Sequence, residues 1–135
     1  MRIIRASRKQ SRKTICTAVL SVPALVGVSS LSTNAATLYW DNDANAANNN
    51  VSTGAGLGGN GTWDSLVSSK WWNGSAGSDQ TWNDLNNDAA IFWGTAGFVA
   101  LNGARTASAL TFKTTNYALT GNSINLGATG SVTVD

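Results

Sequence analysis

Ala89-Ala-Ile-Phe-Trp-Gly94, Phe98-Val-Ala-Leu101, Ser108-Ala-Leu-Thr-Phe112, Tyr117-Ala-Leu-Thr120, Ser123-Ile-Asn-Leu126 and Ser131-Val-Thr-Val134 follow one another at the end of a 135-residue chain. Each run is short, rich in β-branched or aromatic residues, and bounded by Gly, Asn or Thr, which is the signature of strands. Successive side chains of a strand point to opposite faces, so Leu110 with Phe112, Ile124 with Leu126 and Val132 with Val134 each share a face. The anchors Leu110, Leu119, Leu126 and Val134 recur at intervals of nine, seven and eight. Such near-regular units fit a β-sandwich or a β-solenoid, in which each repeat stacks on its neighbours. No stretch beyond Ala36 repeats apolar residues at helical spacing over ten positions, and the fold class is read as all-β.

Upstream the composition changes. Between Thr37 and Asp88 lie five of the six Trp and six of the seven Asp, but only six residues from the Leu, Ile, Val and Phe set. This segment is read as a Trp- and Asn-rich cap region, 37–88, distinct from the strand repeats of 89–135. Asn-Gly pairs at Asn60-Gly61, Asn73-Gly74 and Asn102-Gly103 suit type I′ hairpins, which need positive φ at both central residues. Solenoid corners place the same demand on the backbone, so these pairs leave both architectures open.

The first 36 residues have the layout of an export signal. A basic stretch runs from Met1 to Lys13, an apolar run from Ile15 to Val28, and a small, polar segment from Ser29 to Ala36. A fourteen-residue apolar run interrupted by Pro23 falls short of the roughly twenty residues that span a bilayer. Signal peptidases need small side chains at their −1 and −3 subsites, which predicts cleavage near Ala35 or Ala36. Cys16 leaves with the signal, so the mature chain has no disulfide to rely on.

Removing the signal inverts the charge. Six of the nine basic residues lie in the first thirteen positions; Lys70, Arg105 and Lys113 then face seven Asp, a net of −4. Nucleic-acid binding is disfavoured, because it draws its affinity from Lys and Arg neutralising phosphates. The mature segment has no His, Glu or Cys. A Ser-His-Asp triad and a Cys nucleophile are therefore excluded.

The remaining motifs are weak. Gly54-Ala-Gly-Leu-Gly-Gly59 matches G-x-G-x-x-G, but no strand precedes it and no helix follows, so it is read as a flexible loop. Asp41-Asn-Asp43-Ala-Asn45 alternates side-chain oxygens as a calcium loop begins, making Asp41, Asp43 and Asn45 a candidate calcium set. Ala46 and Ser52 stand where an EF-hand needs Gly and Glu, so no EF-hand is present. Asp84 with Asp88, or Asp64 with Asp79, do not show the opposed placement of a glycosidase acid and base. Six Trp among polar neighbours admit two readings: a core substituting for missing aliphatics, or flat faces for sugar rings. Strand alternation sends Trp71 and Trp72 to opposite faces, so one of them is expected to be exposed, and these two are the candidate sugar-stacking residues.

The matching residues Leu38-Tyr-Trp-Asp41, Gly61-Thr-Trp63, Lys70-Trp-Trp-Asn73, Thr81-Trp82, Ala89-Ala-Ile-Phe-Trp93, Ala109-Leu-Thr-Phe112 and the Tyr117 to Leu126 pair run through nearly all of 37–135. Together they resemble the N-terminal part of bacterial autotransporter-associated β-strand repeat proteins. The resemblance implies a parallel β-solenoid whose first repeats follow a Trp-rich N-terminal cap; an antiparallel β-sandwich is the alternative. It implies a non-catalytic, exported structural or adhesive element, secreted or at the cell surface, with no cofactor. Polysaccharide or cell-surface components are the expected partners. Ser131-Val-Thr-Val-Asp135 ends within a strand pattern, so further repeats are expected beyond it. A secreted carbohydrate-binding module using exposed Trp is the alternative function.

Overall fold

The computed structural model describes residues 35–75 and 77–135; the expected export signal, Ala35 and Ala36 apart, lies outside them. Eleven strands form three sheets. They are β1 (Thr37–Trp40), β2 (Gly61–Trp63), β3 (Ser69–Trp72), β4 (Gln80–Thr81), β5 (Ala89–Phe92), β6 (Phe98–Leu101), β7 (Arg105–Thr106), β8 (Ala109–Phe112), β9 (Ala118–Gly121), β10 (Ile124–Asn125) and β11 (Ser131–Val134). Among the described residues the helical element is a single 3-10 turn, Ala46–Asn48.

The all-β reading holds, and every strand run anticipated after Ala89 forms. The largest sheet has the order β11-β8-β5-β1-β3-β4, flanked by β2-β6-β9 and β10-β7. From β5 onward every pairing is parallel. Ala89 stands opposite Ala109, Phe98 opposite Ala118, and Arg105 opposite Ile124, steps of twenty, twenty and nineteen residues. Antiparallel pairing is confined to β1 with β3 and β3 with β4. Parallel strands cannot be joined by tight hairpins, so the chain must travel through other strands before returning.

The Asn-Gly pairs accordingly do not make two-residue hairpins. Gly61 opens β2, Asn73-Gly74 begins the seven-residue connection from β3 to β4, and Asn102-Gly103 turns the chain from β6 into β7. The glycine-rich stretch consists mostly of turn and loop, but Gly58 within it is held by backbone pairing. Gly58 bridges Asp41 on one side and Thr95 on the other, both in parallel. It adopts φ +96°, and a Cβ there would collide with the Thr95 carbonyl and the Tyr117 hydroxyl, so only glycine serves.

Parallel, in-register pairing places like residues on like. Leu38, Ala90, Leu110 and Val132 line up across four strands. Phe92 stacks on Phe112 with ring centroids 5.1 Å apart and planes 14° from parallel. Burial fades along this row, from Leu38 at 0% exposure to Val132 at 58%. One core joins both compositional regions: Trp40, Trp63, Trp71 and Trp82 pack with Phe92, Val99 and Leu101.

Candidate functional site

Three places hold chemistry worth weighing: the tryptophan cluster, the acidic loop after β1, and the end of the stack at β11.

The tryptophans are core. Trp71, on β3, meets Trp40, Trp63, Trp82 and Phe92 at centroid distances of 5.3, 4.8, 4.6 and 5.9 Å. Such tilted and edge-on contacts let the positive ring edge of one indole meet the negative face of the next. Their N–H groups are mostly tied down: Trp40 donates to the Gly59 carbonyl at 2.9 Å, Trp72 to the Ser75 carbonyl at 2.7 Å, and Trp82 to Asp84 Oδ1 at 3.1 Å. Alternation does send Trp71 and Trp72 to opposite faces, but both faces are covered. Trp71 is 1% exposed within the aromatic cluster, and Trp72, 4% exposed, lies against Tyr39 at 5.8 Å. The expectation that one would be free fails because Trp71 packs among the core rings while Trp72 lies against Tyr39 and donates to the Ser75 carbonyl. Trp93 is the half-buried indole, with Lys113 Nζ 4.8 Å above its ring.

In the acidic loop, the alternating Asx side chains are given separate tasks. Asp43 Oδ1 accepts from the Asn45 N–H, and Oδ2 from Asn48 Nδ2, both at 2.9 Å, which makes an Asx turn. Asp41 is fully buried, with Oδ2 accepting from Asn49 Nδ2 at 2.6 Å. Asp41 Oδ1, Asn49 Oδ1 and both Asp79 oxygens are buried without a hydrogen-bond partner. Burial raises the Asp41 carboxyl to about 7; the Asn49 hydrogen bond opposes this, while Asp43 and Asp79 add to it. Asp79 is also raised by burial. Burial and the neighbouring carboxylates thus both favour the protonated form of Asp41. Among the described residues no group of three or more His, Cys, Asp or Glu side chains is arranged to hold a metal ion.

The other Asp residues serve the fold. Asp64 accepts from the Ser68 N–H and hydroxyl at 2.8 and 2.7 Å. Asp84 takes the Arg105 guanidinium at 3.0 Å, the Thr106 N–H at 2.8 Å and the Trp82 indole. Asp88 takes the backbone N–H of Ala36 at 2.7 Å. Each of these three carboxylates is engaged by donors of the fold. Sequence reasoning missed Arg105, 6% exposed; its signal was being one of three cations after Ala36.

At the end of the stack, β11 pairs with β8 on one side only. Val132 and Val134 are 58% and 69% exposed. A hollow of about 260 Å³ lies between Phe112, Tyr117, Val134 and the Thr114–Asn116 turn. Here an edge strand carries two exposed valines, a combination that suits strand pairing.

Mixed, largely parallel sheets around an aromatic core define an all-β protein. No family model matches the chain, and no solved structure does. Among curated proteins, the chain is 40% identical over 100 residues to the autotransporter adhesin BmaC of Brucella suis biovar 1 (strain 1330). The match covers 70% of this chain and 3% of that protein, so the chain spans a small fraction of the relative's length. Among the described residues no helix is long and apolar enough to cross a membrane.

Proposed function

We propose that the chain is a non-catalytic, exported structural or adhesive element, the N-terminal segment of an autotransporter-type β-solenoid passenger displayed at the cell surface. The observation that carries this is the recurrence of parallel, in-register strands at steps of nineteen to twenty-two residues in three sheets at once. A chain that returns to the same three directions every twenty residues advances by one strand spacing per circuit, which is the geometry of a solenoid. Likeness to a protein named as an adhesin and autotransporter supports the surface role. In this reading the Trp-rich region, 37–88, seals the start of the stack, while β11 offers its free edge to further repeats. Export through a signal ending near Ala35 or Ala36 belongs to the same proposal, and cell-surface components are the partners. The sugar-stacking alternative on Trp71 and Trp72 lacks the free indole face it requires.

Two measurements test the proposal. Backbone NMR contacts between Ala90 and Leu110 and between Val99 and Leu119 are expected; contacts of an antiparallel register would overturn the solenoid. Antibody against residues 37–135 is expected to label intact producing cells and to lose its epitope on external protease treatment. Labelling that required permeabilised cells would overturn surface display.

A further inference from the structure

Asp88 is 2% exposed, yet among the described residues no cation faces it. Arg105 is committed to Asp84, Lys70 Nζ to Asn42 Oδ1, and Lys113 to the Trp93 ring. Its close donor is the backbone nitrogen of Ala36, 2.7 Å from Oδ1; Asn86 Nδ2 lies at 3.4 Å from Oδ2. A buried carboxylate held by one close and one long neutral N–H is under-compensated, because taking a charge out of water is repaid only by an opposite charge or several donors.

The same Ala36 is one of the two positions around which the export signal is expected to end. Its carbonyl accepts the Ala89 N–H at 2.8 Å, and the next residue, Thr37, pairs with Ala89, so its nitrogen is held in place by the β1–β5 ladder. Ala36 is itself exposed. An ammonium at that nitrogen would direct one N–H at Asp88 and keep the others in water, gaining a counter-charge without being desolvated.

We infer that Asp88 is the acceptor for a new N-terminal α-ammonium at Ala36, created when an export-associated peptidase cleaves after Ala35, so that removal of the leader locks β1 onto β5. This rests on the export reading proposed above. Hydrolysis of the Ala35–Ala36 peptide bond consumes one water, leaving a carboxylate on Ala35 and an amine on Ala36 that is protonated at neutral pH. The neutral N–H···O⁻ bond thereby becomes a charge-assisted one. The geometry also separates the two cleavage positions. Cutting after Ala36 would discard both the nitrogen that meets Asp88 and the carbonyl that meets Ala89, and would place the charge one residue, about 3.3 Å, further along the strand.

The protein recovered from its exporting host provides the test. Intact mass is expected to correspond to a chain starting at Ala36. A start at Thr37 or elsewhere overturns the inference while leaving export standing; an uncleaved chain overturns both. The recovered protein is then acetylated selectively at its α-amine near neutral pH, where Lys70 and Lys113 stay protonated. The free-amine form is expected to melt about 5 °C higher than the acetylated form at low salt, given the sensitivity of domains of this size. That gap is expected to close above about pH 9, as the ammonium deprotonates, and to be absent in Asp88→Asn. Equal melting temperatures for the free and acetylated wild-type protein overturn the inference, whether or not the Asp88 variant folds.

Discussion

Residues 37–88 and 89–135 bury side chains in one core by different means. In the first region indoles interlock in several orientations, carbonyls and Asp84 hold the N–H groups of Trp40, Trp72 and Trp82, and the strands run partly antiparallel. In the second, parallel strands recur at steps of nineteen to twenty-two residues and side chains stack in register, as Phe92 lies on Phe112. The irregular region depends on a few large residues that touch many others, whereas the repetitive region spreads its stability over a ladder. A substitution in the first should therefore cost more than one of similar kind in the second.

The largest effect is expected for Trp71→Ala, which removes the ring at the centre of the aromatic cluster. Deleting such a buried ring costs about 3–5 kcal/mol, comparable to the whole stability of a small domain. Near-ultraviolet circular dichroism is expected to lose its aromatic bands and the thermal transition its cooperativity. Leu119→Ala, at a half-buried position on β9, is expected to cost about 1–2 kcal/mol and keep a cooperative melt. Equal losses would erase the contrast between the regions.

Asp84→Ala comes next because it cuts the seam between them. It strands the buried Arg105 guanidinium and removes the acceptor of the Trp82 indole and the Thr106 N–H. Breaking a fully buried pair costs 3–5 kcal/mol; with the Asp84 side chain 27% exposed, about 2 kcal/mol is expected by urea denaturation. Arg105→Met, which leaves the more solvated partner behind, should cost less.

A pH series sharpens the role of the acidic loop. The folded Asp41 carboxyl holds its proton up to about 7, whereas an unfolded Asp releases it near 4. The folded state thus binds more protons across that window, and this contribution to stability is full below about pH 4 and is lost as pH rises to about 7. Melting temperature should fall over this range in the wild type and much less in Asp41→Asn. Repeating the melts with calcium tests the Asp41, Asp43 and Asn45 cation reading: a rise abolished by Asp43→Asn would support it, and no change would overturn it. The smallest effect is expected for Tyr117→Phe, which deletes the hydroxyl donated to the Trp93 carbonyl at 2.8 Å, a loss of about 1 kcal/mol in thermal melts.

Much of the repetitive region was legible because strand formation there is written in local alternation. Ala109–Phe112 and Ser131–Val134 form where their β-branched and aromatic residues stand. The candidate sites were less legible. Opposite faces for Trp71 and Trp72 followed from the pleat, but their exposure depended on β1, β4 and the Ser75 carbonyl, which local periodicity does not specify. The pairing of Asp88 with the start of β1 likewise spans 52 residues and has no motif.

By itself the sequence determined an all-β chain, because its apolar residues alternate and its turns are supplied with Gly and Asn. It also showed that few large apolar side chains other than tryptophan exist between Thr37 and Asp88, which left the indoles as core or as sugar-stacking faces. Only the tertiary structure decided that the strands pair in parallel at steps near twenty residues, that Gly58 stands within the stack, and that both candidate stacking tryptophans are enclosed. The reason is that alternation records which face of a strand is apolar, while the choice of neighbour is made by long-range backbone pairing and by whatever the chain folds over that face.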